Sequence, residues 1–305
     1  MSGPHAKIAL FIPYFGKWPP WIDLFFDSCI SNCDVDFFLF TDCLVPNFKA
    51  PNLHFFSISF SDYCSLASEK LGIEFKPEAP YKLCDLKPFY GLIHRDKIED
   101  FDFWGFGDLD LVFGDIRSFY TDELLAKYDV LSTHLERVSG HFALFRNNDK
   151  YVKKCLEIKN WQKDLSDSRI RILDEQNLTY TFYPELKLVH FVFSWIIKFN
   201  FSLADRFRHW FVPILHRVCR TDSRRIRFVE MNIHPIWTGS GNWKYTSASI
   251  SNNGKACLWD VGKNEEAIYC HFLPFKNSDG WKNNSYITDP IDRVVVISPE
   301  GIQKQ

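Results

Sequence analysis

Three Asp-x-Asp triplets punctuate the sequence: Asp34/Asp36, Asp100/Asp102 and Asp108/Asp110. On an extended chain, carboxylates two residues apart point the same way and repel each other unless a cation joins them. Context separates the three. The first two precede apolar runs, where carboxylates are ordinary solvated strand starts. The third closes Phe101-Asp102-Phe103-Trp104-Gly105-Phe106-Gly107 and is followed by Leu111-Val112-Phe113-Gly114-Asp115. Its expected place is the C-terminal edge of a sheet, where α/β proteins bind ligands, with Leu109 turned into the core. A hard divalent cation, Mn²⁺ or Mg²⁺, suits such oxygen ligands. A bare strand end with two solvated aspartates fits the spacing equally well.

These carboxylates need a scaffold, and the apolar pattern describes one. Lys7 to Pro13 reads as a buried strand ending at Pro13-Tyr14-Phe15-Gly16. Trp21 to Ser31 has helical spacing, and Val35 to Phe40 and Leu53 to Ile58 read as strands. Ser61 to Leu71 and Lys82 to Lys97 read as helical, with Pro88 opposing an unbroken second helix. Phe101 to Val112 reads as one strand with a polar finish. Strands alternating with helices predict an α/β fold with a mostly parallel, Rossmann-like sheet flanked by helices. Further on, Asp122 to Tyr128 and Tyr151 to Asp164 read as helices and His141 to Phe145 as a strand. Asn252 to His271 carries weaker strand signals, and the tail from Lys276 is polar. The economical reading is one domain over residues 1–305, with a helical C-terminal half. Within it, the strand–helix alternation occupies residues 7–115 and the less regular remainder residues 116–305.

Composition narrows the function. With 46% hydrophobic and 24% charged residues, the bulk of the chain is not disordered. A net charge of −2 gives no global basic field for nucleic acid. The 30 Phe and 10 Trp fit a dense core and also stacking platforms for bases and sugars. Nine cysteines without a CxxC pair predict reduced thiols in a cytoplasmic protein. Ser2 to Ala6 does not read as a signal peptide. The longest apolar run, Leu188 to Ile197, is too short to span a bilayer.

The stretches IPYFGKWP, FTD, YKLCDLKPFYG and FWGFGDLDLVFGDI together resemble nucleotide-sugar-dependent glycosyltransferases of the GT-A fold. The nearer likeness is to an uncharacterised family from bacterial surface-polysaccharide loci. The resemblance implies a transferase that moves a sugar from a UDP-sugar to a glycan or lipid-linked acceptor, with residues 7–115 as its nucleotide-sugar-binding half and 116–305 as its acceptor half. In that pattern, Lys82, Asp85 and Lys87 contact the donor, and Asp108 and Asp110 hold the metal and the donor diphosphate. Ser139-Gly140-His141 resembles the small-residue strand lining the sugar pocket. Tyr269-Cys270-His271-Phe272-Leu273-Pro274-Phe275-Lys276 resembles the C-terminal motif of the retaining, glycogenin-like group. There the His completes the metal site and the Lys binds the diphosphate. The glycine between them is absent here, and the spacing is one residue shorter.

Glycosyl transfer places negative charge on a leaving phosphate, which a metal on Asp108, Asp110 and His271 would neutralise, helped by Lys276. Tyr14, after Pro13, is placed to stack on the base and Asp42 to bond the uracil or ribose. Asp174-Glu175-Gln176 offers a base for an inverting reaction or a group beside the reacting carbon for a retaining one. Seven arginines from Arg206 to Arg227 accompany Trp195, Phe199, Phe201, Phe207, Trp210 and Phe211. Arg217 to Arg227 would meet an anionic membrane surface, or else form a solvated basic face. Two rival functions are a non-catalytic nucleotide- or carbohydrate-binding module and a metal-dependent nucleotidyltransferase.

Overall fold

The computed structural model describes residues 5–47, 49–134, 137–188, 191, 225–228, 248–252, 256–260, 265–271, 295–298 and 301–304. The chain is a mixed α/β protein with a large, mostly parallel sheet flanked by helices. It divides into two compact units that interleave along the sequence. Elements are numbered in chain order.

The first unit comprises Lys7–Ile58, Gly107–Asp122 and Met231–Gln305. Its strands β1 (Ile8–Phe11), β2 (Val35–Thr41) and β3 (Leu53–Ser57) run parallel in the order β3-β2-β1. The near-continuous apolar runs of β1 and β2 mark strands covered on both faces. Helix α1 (Ile22–Ile30) connects β1 to β2. Two buried asparagines tie the connections. Asn52 donates to the carbonyls of Cys29, Asn32 and Val35. Asn32 donates to Gly114 O and accepts from Ile116 N, both at 2.8 Å. The second bond fixes the start of α4 (Ile116–Phe119), behind the short strand β5 (Leu111–Phe113).

The second unit comprises Met1–Ala6, Ser59–Phe106 and Glu123–Glu230. Helix α2 (Phe60–Leu71) starts at a Ser59 cap, whose hydroxyl accepts from Asp62 N, and stops at left-handed Gly72. A 3₁₀ segment over Pro80–Phe89 leads into the short α3 (Tyr90–Ile93). Strand β4 (Phe103–Gly107) follows, its last residue assigned to the first unit. Helix α5 (Asp122–Lys127), strands β6 (Val130–Ser132) and β7 (Phe142–Arg146), and helices α6 (Asp149–Val152), α7 (Trp161–Ser166) and α8 (Leu178–Phe182) complete the chain to Phe182. Strand β8 (Ile226–Phe228) pairs parallel to β6, giving the order β4-β7-β6-β8.

Beyond β8 the first unit resumes. Strands β9 (Ala248–Asn252), β10 (Ala256–Asp260), β11 (Glu265–Glu266), β13 (Val295–Ser298) and β14 (Gly301–Lys304) form an antiparallel sheet in the order β11-β10-β9-β13-β14. Strand β12 (Tyr269–His271) leaves that sheet and pairs with β5.

Four expectations change. Phe101 to Val112 is two strands, because the chain turns at Asp108-Leu109-Asp110. Lys82 to Lys97 is a chain of short helical turns, as Pro88 demands. Tyr151 to Asp164 is also broken: Ile158 is extended and Asn160 takes a left-handed φ of 60°. The predicted helical C-terminal half carries helix as far as Leu188 and at Phe191 among the described residues, but from Ile226 onward every described element is a strand.

Candidate functional site

In the first unit the candidate residues gather around two turns. The carbonyl of Leu109 accepts from Trp21 Nε1 at 2.8 Å, which anchors the Asp108–Asp110 turn to the start of α1. Leu109 is buried as expected, Asp110 is buried to the same degree, and Asp108 is half-buried. The carboxylates therefore sit on a turn and not on straight strand. β5 and β12 pair antiparallel with His271 opposite Leu111. That register brings His271 Nε2 to 3.5 Å from Asp110 Oδ1. An oxygen and a nitrogen ligand thus approach each other, a donor pair suited to Mn²⁺. No third His, Cys, Asp or Glu joins them in a metal-sized cluster among the described residues. Lys276 lies outside the described residues.

The second turn lies past β1 and β2. Tyr14 N donates to Phe40 O at 2.9 Å, extending the strand pairing to the candidate base platform, with Pro13 half-buried before it. The Tyr14 ring stacks on Trp18, centroids 5.4 Å apart and planes 9° from parallel. Burial raises the Tyr14 pKa above the ordinary phenol value. Asp42 is exposed and accepts from Gly16 N at 2.7 Å. Gly16 has φ 109°, a conformation that L side chains rarely adopt. Trp18 was not singled out in the sequence, although an aromatic four residues after Tyr14 was a readable signal.

The other Asp-x-Asp triplets have separate settings. Asp34 and Asp100 are exposed. Asp36 pairs with His54 at 2.5 Å across β2 and β3.

In the second unit a second group converges. Lys87 donates from Nζ to Gly140 O at 2.6 Å and lies 3.5 Å from Asp174 Oδ2. A Cβ at Gly140 would stand 2.8 Å from Asp174 Oδ2 and 2.9 Å from Glu175 Cγ, so a larger residue there would push those side chains aside. Glu175 pairs with Arg137 at 3.2 Å, and Gln176 is exposed. Thr179 locks the two segments together, its hydroxyl accepting from Val138 N and donating to Glu175 O. Ser139 is fully buried, with its amide on Ser132 Oγ. His141, also buried, meets the His134 ring edge-on at 5.2 Å. Asp174 is therefore no solvated turn residue. Arg137 escaped the sequence reading, because a lone arginine in a loop carries no pattern.

Asp85 is fully buried. Its carboxylate accepts from Arg171 N at 2.8 Å and Leu173 N at 2.9 Å, and pairs with Lys82 at 2.9 Å. Lys82 Nζ also donates to the carbonyls of Asp164 and Arg169.

Of the arginine-rich stretch, only Arg225 and Arg227 are described; Arg206, Arg208, Arg217, Arg220 and Arg224 lie outside, as do its six aromatics. Arg225 pairs with Asp129 at 3.0 Å, and Arg227 lies over the Tyr128 ring. No helix among the described residues is long and apolar enough to cross a membrane.

Over residues 10–304 the chain matches the model of a family of unknown function, DUF6625, and it belongs to that family. No curated protein matches it. Among solved structures it is similar to the galactosyltransferase LgtC in complex with donor and acceptor sugar analogs. That likeness has 11% identity and a TM-score of 0.33, and covers 57% of this chain and 70% of the other. An active-site mutant of LgtC gives 10% identity and a TM-score of 0.32, with the same coverage of 57% and 70%. The glycosyltransferase GlyE of Streptococcus pneumoniae gives 13% identity and a TM-score of 0.27, over 68% of this chain and 51% of its own. Likenesses of that size decide nothing about activity, so this chain's own residues must.

Proposed function

We propose that this protein is a metal-dependent glycosyltransferase that takes a sugar from a UDP-sugar and passes it to a glycan or lipid-linked acceptor. The observation that supports it best is the approach of His271 to Asp110 through the β5–β12 pairing. Two residues chosen from sequence as ligands of one metal, far apart in the chain, meet at 3.5 Å.

In this reading Asp110 and His271, joined by Asp108 from the same turn, would hold a divalent cation, Mn²⁺ or Mg²⁺. A cation bound there supplies positive charge for the leaving diphosphate. Lys276 is assigned a second charge on the same phosphates. Tyr14, with Trp18 behind it, offers a flat ring to the uracil, and Asp42 an acceptor for ribose or base. Asp174, beside Lys87 and Gly140, is assigned to the transferred sugar or the acceptor hydroxyl, with Glu175 and Gln176. Ser139 and His141 are assigned to the sugar pocket. The setting proposed is bacterial surface-polysaccharide synthesis on the cytoplasmic side, with the arginine-rich stretch against the membrane.

The test is a thermal-shift panel of nucleoside diphosphates and nucleotide sugars, with and without Mn²⁺. A ligand at a hundred times its Kd adds about 2.7 kcal/mol to the folded state and raises Tm accordingly. UDP and UDP-sugars are expected to raise Tm only with Mn²⁺, and slow UDP release should follow from one UDP-sugar. Binding without release on any acceptor tried would make the protein a non-catalytic module. No shift with any nucleotide would overturn the reading.

A further inference from the structure

The resemblance assigns Lys82 and Asp85 to the donor sugar, and their geometry assigns them elsewhere. Both side chains are buried, at 3% and 0% exposed. An ammonium has three N–H donors, and those of Lys82 go to Asp85, Asp164 O and Arg169 O. The Asp85 oxygens are taken by Lys82 and by the amides of Arg171 and Leu173. Those amides flank Ile172, whose φ is 53° and ψ 51°. A β-branched residue avoids that left-handed region. Packing does not force Ile172 there, because it is 53% exposed. What does hold it is the single carboxylate that receives an N–H from each side. The next residues are Leu173, fully buried, and Asp174, which reaches Lys87 and Gly140.

We infer that Lys82 and Asp85 are positioning residues: a buried ion pair that holds Ile172 left-handed and so aims Asp174 at Lys87 and Gly140. Lys82 serves twice, neutralising a carboxylate that would otherwise be buried unpaired and tying down the start of the same loop. The importance of Asp174 to turnover rests on the glycosyltransferase reading; the aiming of its side chain does not.

Three variants test this: Asp85→Asn, Lys82→Met/Asp85→Asn, and Asp85→Asn/Ile172→Gly. An asparagine amide turns an N–H₂ toward one of the two backbone amides, so one hydrogen bond is lost. Crystal structures of Asp85→Asn, or of the double variant lacking both charges should the single one not fold, are expected to show Ile172 out of the left-handed region. Asp174 should then lie beyond ion-pair distance from Lys87. Adding Ile172→Gly should return Asp174, since glycine takes that conformation without steric cost. UDP release from UDP-galactose and UDP-glucose with Mn²⁺ gives the second readout. In Asp85→Asn kcat should fall roughly tenfold to a hundredfold. The donor KM should stay unchanged, and Ile172→Gly should restore part of kcat. Asp174 still seated on Lys87 in Asp85→Asn would overturn the inference. So would a raised donor KM that Ile172→Gly does not rescue, since that marks direct donor contact. Wild-type protein that releases UDP from neither sugar would count against the glycosyltransferase reading, and the crystal structures would still decide the positioning role.

Discussion

Asp174 is 4% exposed, and the cation beside it is Lys87. Lys87→Met would leave a buried carboxylate without that partner, a change that costs on the order of 3 kcal/mol. Urea unfolding is expected to show that loss, and an unchanged midpoint would mean that the pair does not matter to stability. Gly140→Ala acts differently. Its methyl group cannot coexist with Asp174 Oδ2 and Glu175 Cγ at their present distances, so those side chains must move. UDP release should drop roughly a hundredfold, the scale of a misplaced group of about 1 Å, with Mn²⁺-dependent UDP binding kept. His94 supplies a pH dependence. Its Nε2 lies 2.9 Å from Tyr63 OH, and burial pushes its pKa down from 6.5 to about 3. Between those values the unfolded chain binds a proton there that the folded chain does not. Stability is therefore full above about 6.5 and falls as pH drops toward 3, by up to about 1.4 kcal/mol per pH unit. Thermal unfolding across that range should show the decline, and His94→Gln should flatten it.

At the scale of elements, α3 and β4 make a sharp prediction. A Cβ on Gly91 would stand 2.6 Å from Trp104 Cε2, and that ring is fixed, stacked on Phe145. Alanine for glycine in a helix normally stabilises; here the clash reverses the sign. Gly91→Ala is expected to destabilise by about 1–3 kcal/mol in denaturant, and a neutral or stabilising result would mean that Trp104 moves aside freely. The strands β1, β2 and β3 and helices α1 and α2 were legible because each is a local pattern, an apolar run or a 3.6-residue period, closed in α2 by Ser59 and Gly72. The break at Asp108–Asp110 was not legible, because the partner that draws β5 away is β12, more than a hundred residues later. Nor was the break in Tyr151 to Asp164, since Asn160 in a left-handed turn leaves the apolar spacing intact. The candidate residues followed the same division. Asp110 and His271 could be chosen by type and resemblance. The duties of Asp85 could not, because besides Lys82 its partners are two backbone amides that no side-chain pattern reports.

The whole chain is two interleaved compact units, and each carries one of the candidate groups. The first holds the Asp110–His271 approach and the Tyr14–Trp18 stack. The second holds Lys87, Gly140 and Asp174. The claim that governs the rest is that Asp110 and His271 serve a metal that binds a uridine nucleotide. Isothermal titration of UDP into wild-type, Asp110→Ala, His271→Ala and Asp34→Ala protein, each with and without Mn²⁺, tests it most directly. The account predicts Mn²⁺-dependent UDP binding in the wild type and in Asp34→Ala, whose exposed carboxylate directly precedes β2. It predicts loss of binding in Asp110→Ala and a weakening of roughly ten- to a hundredfold or more in His271→Ala. Equal UDP affinity in all four proteins, or affinity that ignores Mn²⁺, would contradict it.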